Sequence, residues 1–377
     1  MNLNPLKKLG RLRKALGVKD RKSATLILYE YLTYRFINPD LAEQYFSKYL
    51  FRKNVARPED YLVTNKLAQK IWYYNDMKYK SLFINKALFE QFFAKHQVPV
   101  VRSFLYNINH LFYSDGDFKL VNDIDHFRKL LIDFKEKGEW TGEHLIVKKK
   151  DGSYGGRNIF KIAFADVTEN SKLFEDVYRD VVKSGYLFQN VVSQHPEMNR
   201  ITSSSLNTLR IDSFKNNKGE IKIVNTTLRF SCRDTFVDNV TSGGMFAGIE
   251  RETGRLHGEA FSDFDYWEGD VALAHPLTGL VFKDFQIPFF GEAKKLAIDA
   301  AKLVPGVRVL GWDIGIQPTG PVLLEGNFFN DLYHFEMGQK GHSDNLIFRE
   351  LLDEIDIYYN RNGNDLEEMK REYPLFV

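Results

Sequence analysis

Two strand-like stretches, Val309-Leu310-Gly311-Trp312-Asp313-Ile314-Gly315-Ile316-Gln317 and Pro321-Val322-Leu323-Leu324-Glu325-Gly326-Asn327, flank the turn residues Pro318-Thr319-Gly320. Proline and glycine in so short a connection are typical of a β-hairpin. A three-residue loop places Asp313 directly opposite Glu325 on the neighbouring strand. Because side chains alternate along a strand, Asn327 lies on the same face as Glu325. The sequence therefore predicts two carboxylates and an amide that converge on one face of an otherwise apolar hairpin.

The three polar side chains of this hairpin have the chemistry of a site for a hard cation. Two opposed carboxylates repel each other, and a divalent cation between them would remove that repulsion. Oxygen-only ligands suit a Mg²⁺ ion that also bridges phosphate groups. The competing interpretation is that an arginine from nearby pairs with one of the carboxylates. Both interpretations stay open at the level of the sequence.

A second glycine-rich segment follows the buried-looking strand Leu145-Ile146-Val147. It consists of Lys148-Lys149-Lys150 and then Asp151-Gly152-Ser153-Tyr154-Gly155-Gly156. A lysine that leaves a strand beside such a loop can neutralise phosphate oxygens while the loop N–H groups bind them. A tight hairpin with surface lysines explains the same pattern. Glycine placement makes the segment conspicuous, because 15 of the 26 glycines fall within 138–156, 243–258 and 306–326.

Length and composition restrict the class of protein. At 377 residues the chain can form two to three domains of about 150 residues each. Its 52 basic and 50 acidic residues give a net charge of +2, which excludes a nucleic-acid binder that works through overall charge. The single cysteine, Cys232, excludes an internal disulfide framework. No apolar run reaches the roughly 18 residues that a membrane span needs, so we expect a cytoplasmic protein.

The first 80 residues are poor in glycine, and we predict helices there at 5–22, 23–35, 39–51 and 59–74. The first of these helices carries eight basic side chains and one acidic side chain, with leucines at three- and four-residue spacing. Such a helix can rest on an anionic membrane surface, which would make the protein membrane-peripheral. It can equally be a solvated helix that packs through its leucine stripe. The sequence leaves both interpretations open.

From about residue 81 onward the pattern becomes mainly strand-like. β-branched and aromatic residues alternate with polar residues in strands predicted at 144–149, 158–164, 186–192, 207–214, 221–230 and 307–317. Helices are predicted between or before them at 85–96, 123–137 and 292–303. We therefore predict an α+β fold with a helical N-terminal region at 1–80 and a second domain at 81–377.

Several short motifs are spread over roughly two-thirds of the chain. In chain order they are Ile84-Asn85-Lys86, Gln194-His195-Pro196-Glu197, Ser205-Leu206-Asn207-Thr208-Leu209-Arg210-Ile211, Val237-Asp238-Asn239 with Gly243-Gly244, His275-Pro276-Leu277-Thr278-Gly279, Gly311-Trp312-Asp313 and Glu325-Gly326-Asn327. Together they resemble the ATP-grasp superfamily, and more narrowly its sugar-transfer-associated group, which is found near capsule and surface-polysaccharide genes. The resemblance implies that 81–377 form an ATP-grasp domain, in which two α+β subdomains clasp ATP around a hinge near 186–193.

The resemblance also implies a nucleotide site with ATP and Mg²⁺ as cofactors. Lys86 matches a first phosphate-contacting lysine and Lys148 a second, although Lys149 and Lys150 leave the choice of the second lysine open. The remaining implied ATP contacts are the lid glycines Gly155 and Gly156 and the hinge residues Gln189 and Val191 at the adenine. The family often has a glutamate where Gln189 stands. A neutral amide can still accept a hydrogen bond from the adenine amino group.

The catalytic groups that the resemblance implies lie on the predicted strands and the loops between them. Arg210 and Arg229 would approach the γ-phosphate and an acyl phosphate, a task that suits a planar guanidinium. A surface salt bridge is the alternative for these arginines. Asn239 belongs to a loop that would approach the acceptor carboxylate. The implied metal ligands are Asp313, Glu325 and Asn327, which would hold one or two Mg²⁺ ions.

These implications predict an ATP- and Mg²⁺-dependent carboxylate–amine ligase that forms an amide through an acyl phosphate. Its substrates would be a small-molecule or glycan carboxylate and an amine, in surface-polysaccharide biosynthesis. The alternatives are a kinase that phosphorylates a hydroxyl and a non-catalytic scaffold at a membrane assembly. No histidine has a partner at zinc-ligand spacing. His195 and His275 precede prolines and are predicted to order loops.

Overall fold

A computed structural model describes residues 5–37, 39–53, 55, 57–151, 158–169, 171–238, 240, 243–264 and 271–374. The helices in these ranges are α1 (Pro5–Gly17), α2 (Ala24–Ile37), α3 (Pro39–Gln44), α4 (Asn65–Tyr73), α5 (Lys80–Ile84), α6 (Lys86–Lys95), α7 (Ile124–Glu136), α8 (Phe164–Thr168), α9 (Lys172–Val181), α10 (Pro196–Asn199), α11 (Phe290–Lys302), α12 (Leu332–Phe335), α13 (Leu346–Asp356) and α14 (Leu366–Glu372). The strands are β1 (Ser103–Ile108), β2 (Leu111–Ser114), β3 (Asp117–Leu120), β4 (His144–Lys149), β5 (Ile159–Ala163), β6 (Tyr186–Asn190), β7 (Thr208–Lys215), β8 (Ile221–Ser231), β9 (Gly244–Ile249), β10 (Leu256–Phe261), β11 (Val271–Ala272), β12 (Val309–Gln317) and β13 (Gly320–Asn327). Short 3₁₀ turns occur at Pro58–Asp60, Met77–Tyr79 and Glu336–Gln339, and a π-helical turn occurs at Ile357–Arg361.

One antiparallel sheet contains six strands in the order β3-β2-β1-β6-β4-β5. Helices α7, α8 and α9 pack against one face of this sheet and share an apolar cluster with it. Helix α7 begins where the Asp123 side chain accepts a hydrogen bond from the His126 N–H, which satisfies an end group of the helix. Its buried residues Phe127, Leu130 and Phe134 recur at three- and four-residue spacing, as a helix on a sheet requires. The opposite face of the sheet is left for α6 and the candidate site.

The second antiparallel sheet contains seven strands in the order β11-β10-β9-β8-β7-β12-β13. Strands β7 and β12 are buried along almost their whole length. Helices α11 and α13 contribute apolar residues to the largest apolar cluster, to which the strands add Trp312 and Phe230. Because side chains alternate, the polar residues Arg210 of β7 and Asp313 of β12 share the other face of the sheet.

The hairpin of β12 and β13 has the predicted pairing of Asp313 with Glu325, but its loop length differs from the prediction and a bulge compensates for the difference. Gln317 pairs with Gly320, so the loop contains two residues and not three. A bulge at Leu324 then restores the pairing of Asp313 with Glu325. One residue fewer in the loop and one extra residue in β13 have opposite effects on the register. The prediction that the two carboxylates face each other is therefore confirmed.

The chain enters the six-stranded sheet ahead of β1 and leaves it after β6, and both passages lie beside this hairpin. Ahead of β1, the Leu323 N–H donates to the Pro99 carbonyl at 2.8 Å, and the Val101 N–H donates to the Leu323 carbonyl at 3.0 Å. After β6, the His195 N–H donates to the Ile316 carbonyl at 2.8 Å. The second passage follows the predicted hinge. Both passages fasten the six-stranded sheet to the β12–β13 hairpin.

Three of the predicted N-terminal helices are shorter than expected, and the first of them, predicted at 5–22, ends at Gly17. The helix predicted at 39–51 ends at Gln44, and the buried Tyr49 has a φ of 57°, which a right-handed helix cannot accommodate. The helix predicted at 59–74 begins only at Asn65, where the Thr64 side chain accepts a hydrogen bond from the Leu67 N–H. Within the described part of the chain, no helix combines the length and the apolar character that crossing a membrane would need.

A buried ion pair fastens the N-terminal region to the rest of the molecule. Lys48 follows α3 and has no exposed surface, and its Nζ donates to Glu336 Oε2 in the 3₁₀ turn. Glu336 also accepts hydrogen bonds from the Leu62 and Val63 N–H groups at 2.6 and 3.3 Å. The Lys48 ammonium lies 4.5 Å from the centre of the Tyr333 ring. Removal of one partner from such a pair leaves the other charge buried and uncompensated.

We expect Lys48→Met to lower the free energy of unfolding by roughly 3–5 kcal/mol, because Glu336 then remains as a buried, unpaired charge. Lys222→Met is the matched control, since Lys222 pairs with Glu350 at 2.7 Å while both side chains stay partly exposed. Loss of that surface pair should cost about 1 kcal/mol or less. Urea unfolding followed by circular dichroism measures both values. Equal losses in the two variants would contradict a stabilising role for the buried pair.

Candidate active site

Strands β8, β7, β12 and β13 lie side by side and present charged side chains on one face. Asp313 of β12 pairs in register with Arg210 of β7 on one side and with Glu325 of β13 on the other. Arg229 extends from β8, one strand beyond Arg210. Side chains at paired positions of antiparallel strands lie on the same face, about 5 Å apart. Strand register therefore brings these four groups together.

Asp313 lies at the centre of this charged surface. Arg210 Nε donates to Asp313 Oδ1 at 2.6 Å, and Arg229 Nη2 donates to Oδ2 at 2.9 Å. Asn327 Nδ2 also donates to Oδ2, at 3.2 Å. Burial alone would raise the pKa of Asp313, but the two guanidinium groups hold that pKa well below its ordinary value. Asp313 is therefore ionised, and against the effect of burial it raises the pKa of Arg229.

The charged surface continues beyond these three residues. Arg229 Nε lies 3.6 Å from Asp238 Oδ2, and Arg210 Nη1 donates to the Asn330 amide oxygen at 3.2 Å. Asp212 stands two residues after Arg210 and therefore on the same face of β7. It is fully buried, and burial raises its pKa to about 6, against the lowering effect of Arg210. The surface thus has arginines on β8 and β7 and carboxylates on β7, β12 and β13.

Gly311 allows the polar groups to approach the sheet closely. It pairs with Asp212 on β7. A Cβ at this position would lie 2.5 Å from Asn330 Oδ1 and 2.9 Å from Asp212 Oδ1. Any other residue would displace the Asn330 side chain that supports Arg210. The glycine of the Gly311-Trp312-Asp313 motif therefore has a steric function.

Two lysines from different elements lie near Glu325. Lys86 begins α6, and its Nζ is 4.0 Å from Glu325 Oε2. The Lys86 N–H donates to the Lys150 carbonyl at 3.0 Å, which places α6 beside the end of β4. Lys148 lies within electrostatic range of Glu325 and Lys86. Burial lowers the pKa of Lys148 to about 8, with Glu325 opposing this decrease and the Lys86 charge reinforcing it.

Of the three consecutive lysines, Lys148 is the one on the face that points toward α6. It pairs with Leu187 of β6, which packs against Ala87 of α6. Lys149 lies on the opposite face because side chains alternate along β4. The Lys150 Nζ lies 3.7 Å from Asp151 at the end of the strand. The geometry thus favours Lys148 among the alternatives that the sequence left open.

The predicted adenine-contacting residue Gln189 belongs to a buried hydrogen-bond network. The Glu90 carboxylate of α6 accepts hydrogen bonds from the Ser103 N–H at 2.5 Å and from the Tyr106 hydroxyl at 2.6 Å. Gln189 Nε2 donates to the same carboxylate at 3.3 Å. Since the amide nitrogen is directed at Glu90, the amide oxygen is the group of Gln189 that can accept a hydrogen bond from adenine. Val191, one residue past β6, is exposed.

The residues Asp313, Glu325 and Asn327 offer the oxygen ligands that Mg²⁺ prefers. Asp313 is already compensated by two arginines, so the arginine pairing that the sequence left open is present at this residue. Three hydrogen bonds occupy three of the roughly four lone-pair sites of its carboxylate. Glu325 is partly exposed on the same face, and the Asn327 hydrogen bond does not use its amide oxygen. The set therefore fits a cation, and Mg²⁺ binding stays a prediction.

Three of the predicted site residues, Gly155, Gly156 and Asn239, lie outside the described residues. The residue before Asn239, Asp238, is described and lies beside Arg229. Among the described residues, His, Cys, Asp and Glu side chains form no group of three or more that could hold a metal ion.

The two histidines before prolines accept hydrogen bonds from their own loops. His195 Nδ1 accepts from the Glu197 N–H at 3.1 Å. His275 Nδ1 accepts from the Leu277 and Thr278 N–H groups at 3.2 Å. These contacts are those of loop-ordering residues and agree with the expectation from the sequence.

A histidine–carboxylate pair lies beside Arg210. Helix α12 begins after Asp331, whose Oδ2 lies 2.8 Å from His334 Nδ1. The next residue, Phe335, holds its ring 5.2 Å from the Arg210 guanidinium carbon, so α12 lies against the charged surface. Burial alone would lower the pKa of His334, but the carboxylates of Asp331 and Asp263 raise it above its ordinary value.

Glu90, Asp212 and His334 were not predicted as site residues from the sequence. Glu90 lies on the buried side of α6, between Ala87 and Phe93. An acidic residue on an otherwise apolar helix face is a sequence pattern from which a buried polar role could have been predicted. Asp212 alternates with Arg210 inside an apolar strand, which was a second signal. Asp331 and His334 have the ordinary spacing of a helix cap, so no local pattern marks them.

The solved structures to which this chain is similar are distant from it in sequence. N5-carboxyaminoimidazole ribonucleotide synthetase from Thermotoga maritima has 13% identity and a TM-score of 0.34, covering 65% of this chain and 42% of that chain. The D-cycloserine synthetase DcsG has 12% identity and a TM-score of 0.42, covering 75% and 73%. D-alanyl-alanine synthetase A from Vibrio cholerae O1 biovar eltor str. N16961 has 13% identity and a TM-score of 0.43, covering 74% and 66%. These similarities are too distant to transfer a function.

A comparison with curated protein sequences found no match. Residues 65–346, well over half of the chain, match the family described as sugar-transfer associated ATP-grasp. The matched range contains Lys86, Lys148, both arginines of the charged surface and the β12–β13 hairpin, while α1, α2 and α3 lie outside it. The chain therefore belongs to the sugar-transfer associated ATP-grasp family, as predicted, and has the α+β ATP-grasp fold.

Proposed function

We propose that the protein is an ATP- and Mg²⁺-dependent carboxylate–amine ligase that forms an amide through an acyl phosphate. The observation that carries the proposal is the convergence of cations from both sheets. Lys148 from the six-stranded sheet lies near Glu325, and the arginines of the seven-stranded sheet surround Asp313. Phosphoryl transfer depends on positioning and on charge neutralisation, and it needs no nucleophilic side chain from the protein.

Each group of the site has a role under this proposal. Lys86 and Lys148 would bind phosphate oxygens of ATP, and residues 189–191 would contact the adenine. Asp313, Glu325 and Asn327 would hold Mg²⁺, which supplies positive charge at the phosphates when it is bound. Arg210 and Arg229 would neutralise the phosphoryl group during its transfer.

The reaction would proceed in two steps. A carboxylate oxygen of the first substrate attacks the γ-phosphorus, and the bond between that phosphorus and the ADP oxygen breaks. The amine nitrogen of the second substrate then attacks the acyl carbon, and inorganic phosphate leaves. The nitrogen must lose a proton in this step. We assign this task to His334, which is oriented by Asp331, a carboxylate within electrostatic range of Arg210.

The family description associates these proteins with sugar transfer, and we infer that the substrate is a sugar acid, an amino sugar or a glycan that carries one, in surface-polysaccharide biosynthesis. The Asp331 and His334 side chains are 46% and 33% exposed, so both are in contact with solvent.

Product analysis tests the proposal against a hydroxyl kinase and a scaffold. Candidate sugar acids and amines are screened for ADP release with Mg²⁺, and hydroxylamine is then supplied in place of the amine. A ligase releases ADP with the acid and yields a hydroxamate, because hydroxylamine traps the acyl phosphate. ADP release with an alcohol and without hydroxamate would identify a kinase instead. Binding of ATP without ADP release for any acid–amine pair would favour a scaffold.

We expect Glu325→Gln to lower ADP release by roughly 100-fold or more, since the carboxylate beside the transferred phosphate is lost. The partly exposed position of Glu325 should leave the thermal unfolding temperature nearly unchanged. Asp313→Asn should also lower stability, by about 3–5 kcal/mol, because two buried arginines lose their counter-charge. ADP release and thermal unfolding are measured for both variants. A Glu325→Gln variant with near-normal turnover would argue against the metal site.

We expect nucleotide affinity to fall as the pH rises through about 8, because Lys148 binds phosphate only while protonated. At pH 9 a group with this pKa is largely neutral, so the Kd of ADP without metal should increase up to about tenfold relative to pH 7. Lys148→Arg should remove the pH dependence, since arginine stays charged. Lys149→Gln, on the other face of β4, is the control and should keep it. Isothermal titration calorimetry that shows the same pH profile for wild type and Lys148→Arg would exclude this role.

We expect His334→Gln to slow turnover with an alkylamine by roughly 100-fold, the usual contribution of a general base. Hydroxylamine is largely uncharged at neutral pH, so its turnover should change much less. In the wild type, turnover with the amine should rise with pH through the pKa of His334, which lies above its ordinary value of 6.5. The variant should lack the inflection at that pKa and keep only the rise that comes from deprotonation of the amine itself. Equal losses with both nucleophiles would assign His334 a structural role only.

A further inference from the structure

Helix α2 has apolar residues both on the side that packs against the protein and on the opposite side. Its inner side contributes the fully buried Ile27 and the partly buried Tyr31 and Tyr34 to the aromatic cluster of the N-terminal region. Glu30 also lies toward this side, where it accepts a hydrogen bond from Tyr45 at 2.5 Å and pairs with Lys22 at 2.8 Å. The helix is therefore held to the protein by its inner side alone.

The outer side of α2 is apolar and exposed. Phe36 and Ile37 are 84% and 78% exposed, and Tyr29 is 68% exposed. The other large apolar residues exposed on this helix are Leu26, Leu28 and Leu32. Tyr29, Leu32 and Phe36 follow one another at three- and four-residue spacing and form a continuous stripe. The charged residues of the helix are Glu30 on the inner side and Arg35 at the edge of the stripe.

The chain around this stripe is strongly basic. Residues 5–37 contain nine lysines and arginines and two acids, whereas the net charge of the whole chain is only +2. Both acids are neutralised, Glu30 by Lys22 and Asp20 by Arg52 at 3.1 Å. Among the basic side chains that the structure describes from residue 10 to 37, Arg13, Lys19 and Arg35 are exposed. Positive charge therefore precedes the first turn of α2 and is present again in its last turn.

We propose that the outer side of α2 docks onto an anionic membrane surface, with the basic residues of 5–37 at the lipid headgroups. An exposed apolar stripe next to basic side chains is what binding in the plane of an anionic bilayer requires. A helix of 14 residues is too short to span the bilayer and would lie in the interface. A second copy of this chain fits the surface less well, because it would bring two strongly positive segments together.

The proposal changes the segment that the sequence pointed to. Residues 5–22 were expected either to rest on a membrane or to pack through their leucine stripe. In the structure Ala15 is fully buried, and Leu12 and Val18 pack against the aromatic cluster. Ala15, Leu12 and Val18 are thus turned inward, so the described part of α1 offers the docking surface the exposed charge of Arg13, while α2 offers the apolar contact.

Flotation of the full-length protein with lipid vesicles tests the proposal. Binding should be strong to phosphatidylcholine vesicles with about one-third phosphatidylserine, weak to pure phosphatidylcholine, and reduced by added salt. The double variant Phe36→Ser, Ile37→Ser should bind the anionic vesicles at least about tenfold more weakly, because two inserted side chains are lost. Lys19→Glu with Arg35→Glu should weaken binding and reduce its salt dependence.

The matched control is Phe118→Ser, which removes a 66% exposed aromatic side chain from β3 and should leave vesicle binding unchanged. Circular dichroism and ADP release should be normal in all these variants, since α2 lies outside the candidate active site. Wild-type vesicle binding that is absent, or unaffected by Phe36→Ser, Ile37→Ser, would overturn the proposal. A wild-type dimer that the same double variant converts to a monomer would assign the surface to a second copy instead.

Discussion

The ion pairs of Asp313 with Arg210 and Arg229 are the interaction on which the candidate site depends. These three charges lie in the interior of a sheet, where each alone would cost several kcal/mol to desolvate. They are stable there because each has its partner on another of the three strands. That condition requires β7 to lie between β8 and β12. The need to pair these charges therefore favours one strand order and one register.

The N-terminal region supports this charged surface although it contributes none of its charges. Phe335 places its ring on the Arg210 guanidinium, and the next residue, Glu336, pairs with the buried Lys48. The 3₁₀ turn that begins with Glu336 lies directly on β9, since a Cβ on Gly248 would be 1.8 Å from the Gly338 carbonyl oxygen. A displacement of Lys48 would therefore be transmitted to Arg210 through the adjacent residues Glu336 and Phe335.

Sequence patterns predicted the features that depend on local order. The facing pair Asp313 and Glu325 follows from turn chemistry and alternation, and the hairpin kept that pairing even though its loop is shorter than expected. The pairing of Arg210 with Asp313 could not be derived, because it depends on which strands are neighbours across more than 100 residues. The left-handed Tyr49 also escaped prediction, since an aromatic cluster formed by distant residues determines its position.

The charges of the candidate site are already paired before any substrate binds. The arginines hold Asp313, Lys86 lies beside Glu325, and Lys148 is within range of both. Under the proposed function, ATP phosphates would draw Arg210, Arg229 and the lysines, while the carboxylates would turn to Mg²⁺. Each of these side chains would then exchange its ion-pair partner in the protein for a phosphate or for Mg²⁺. No charge would be buried alone before or after ATP binds, which avoids the cost of an unpaired buried charge. The ion pairs of the free protein and the contacts to the substrate are therefore two arrangements of one set of charges.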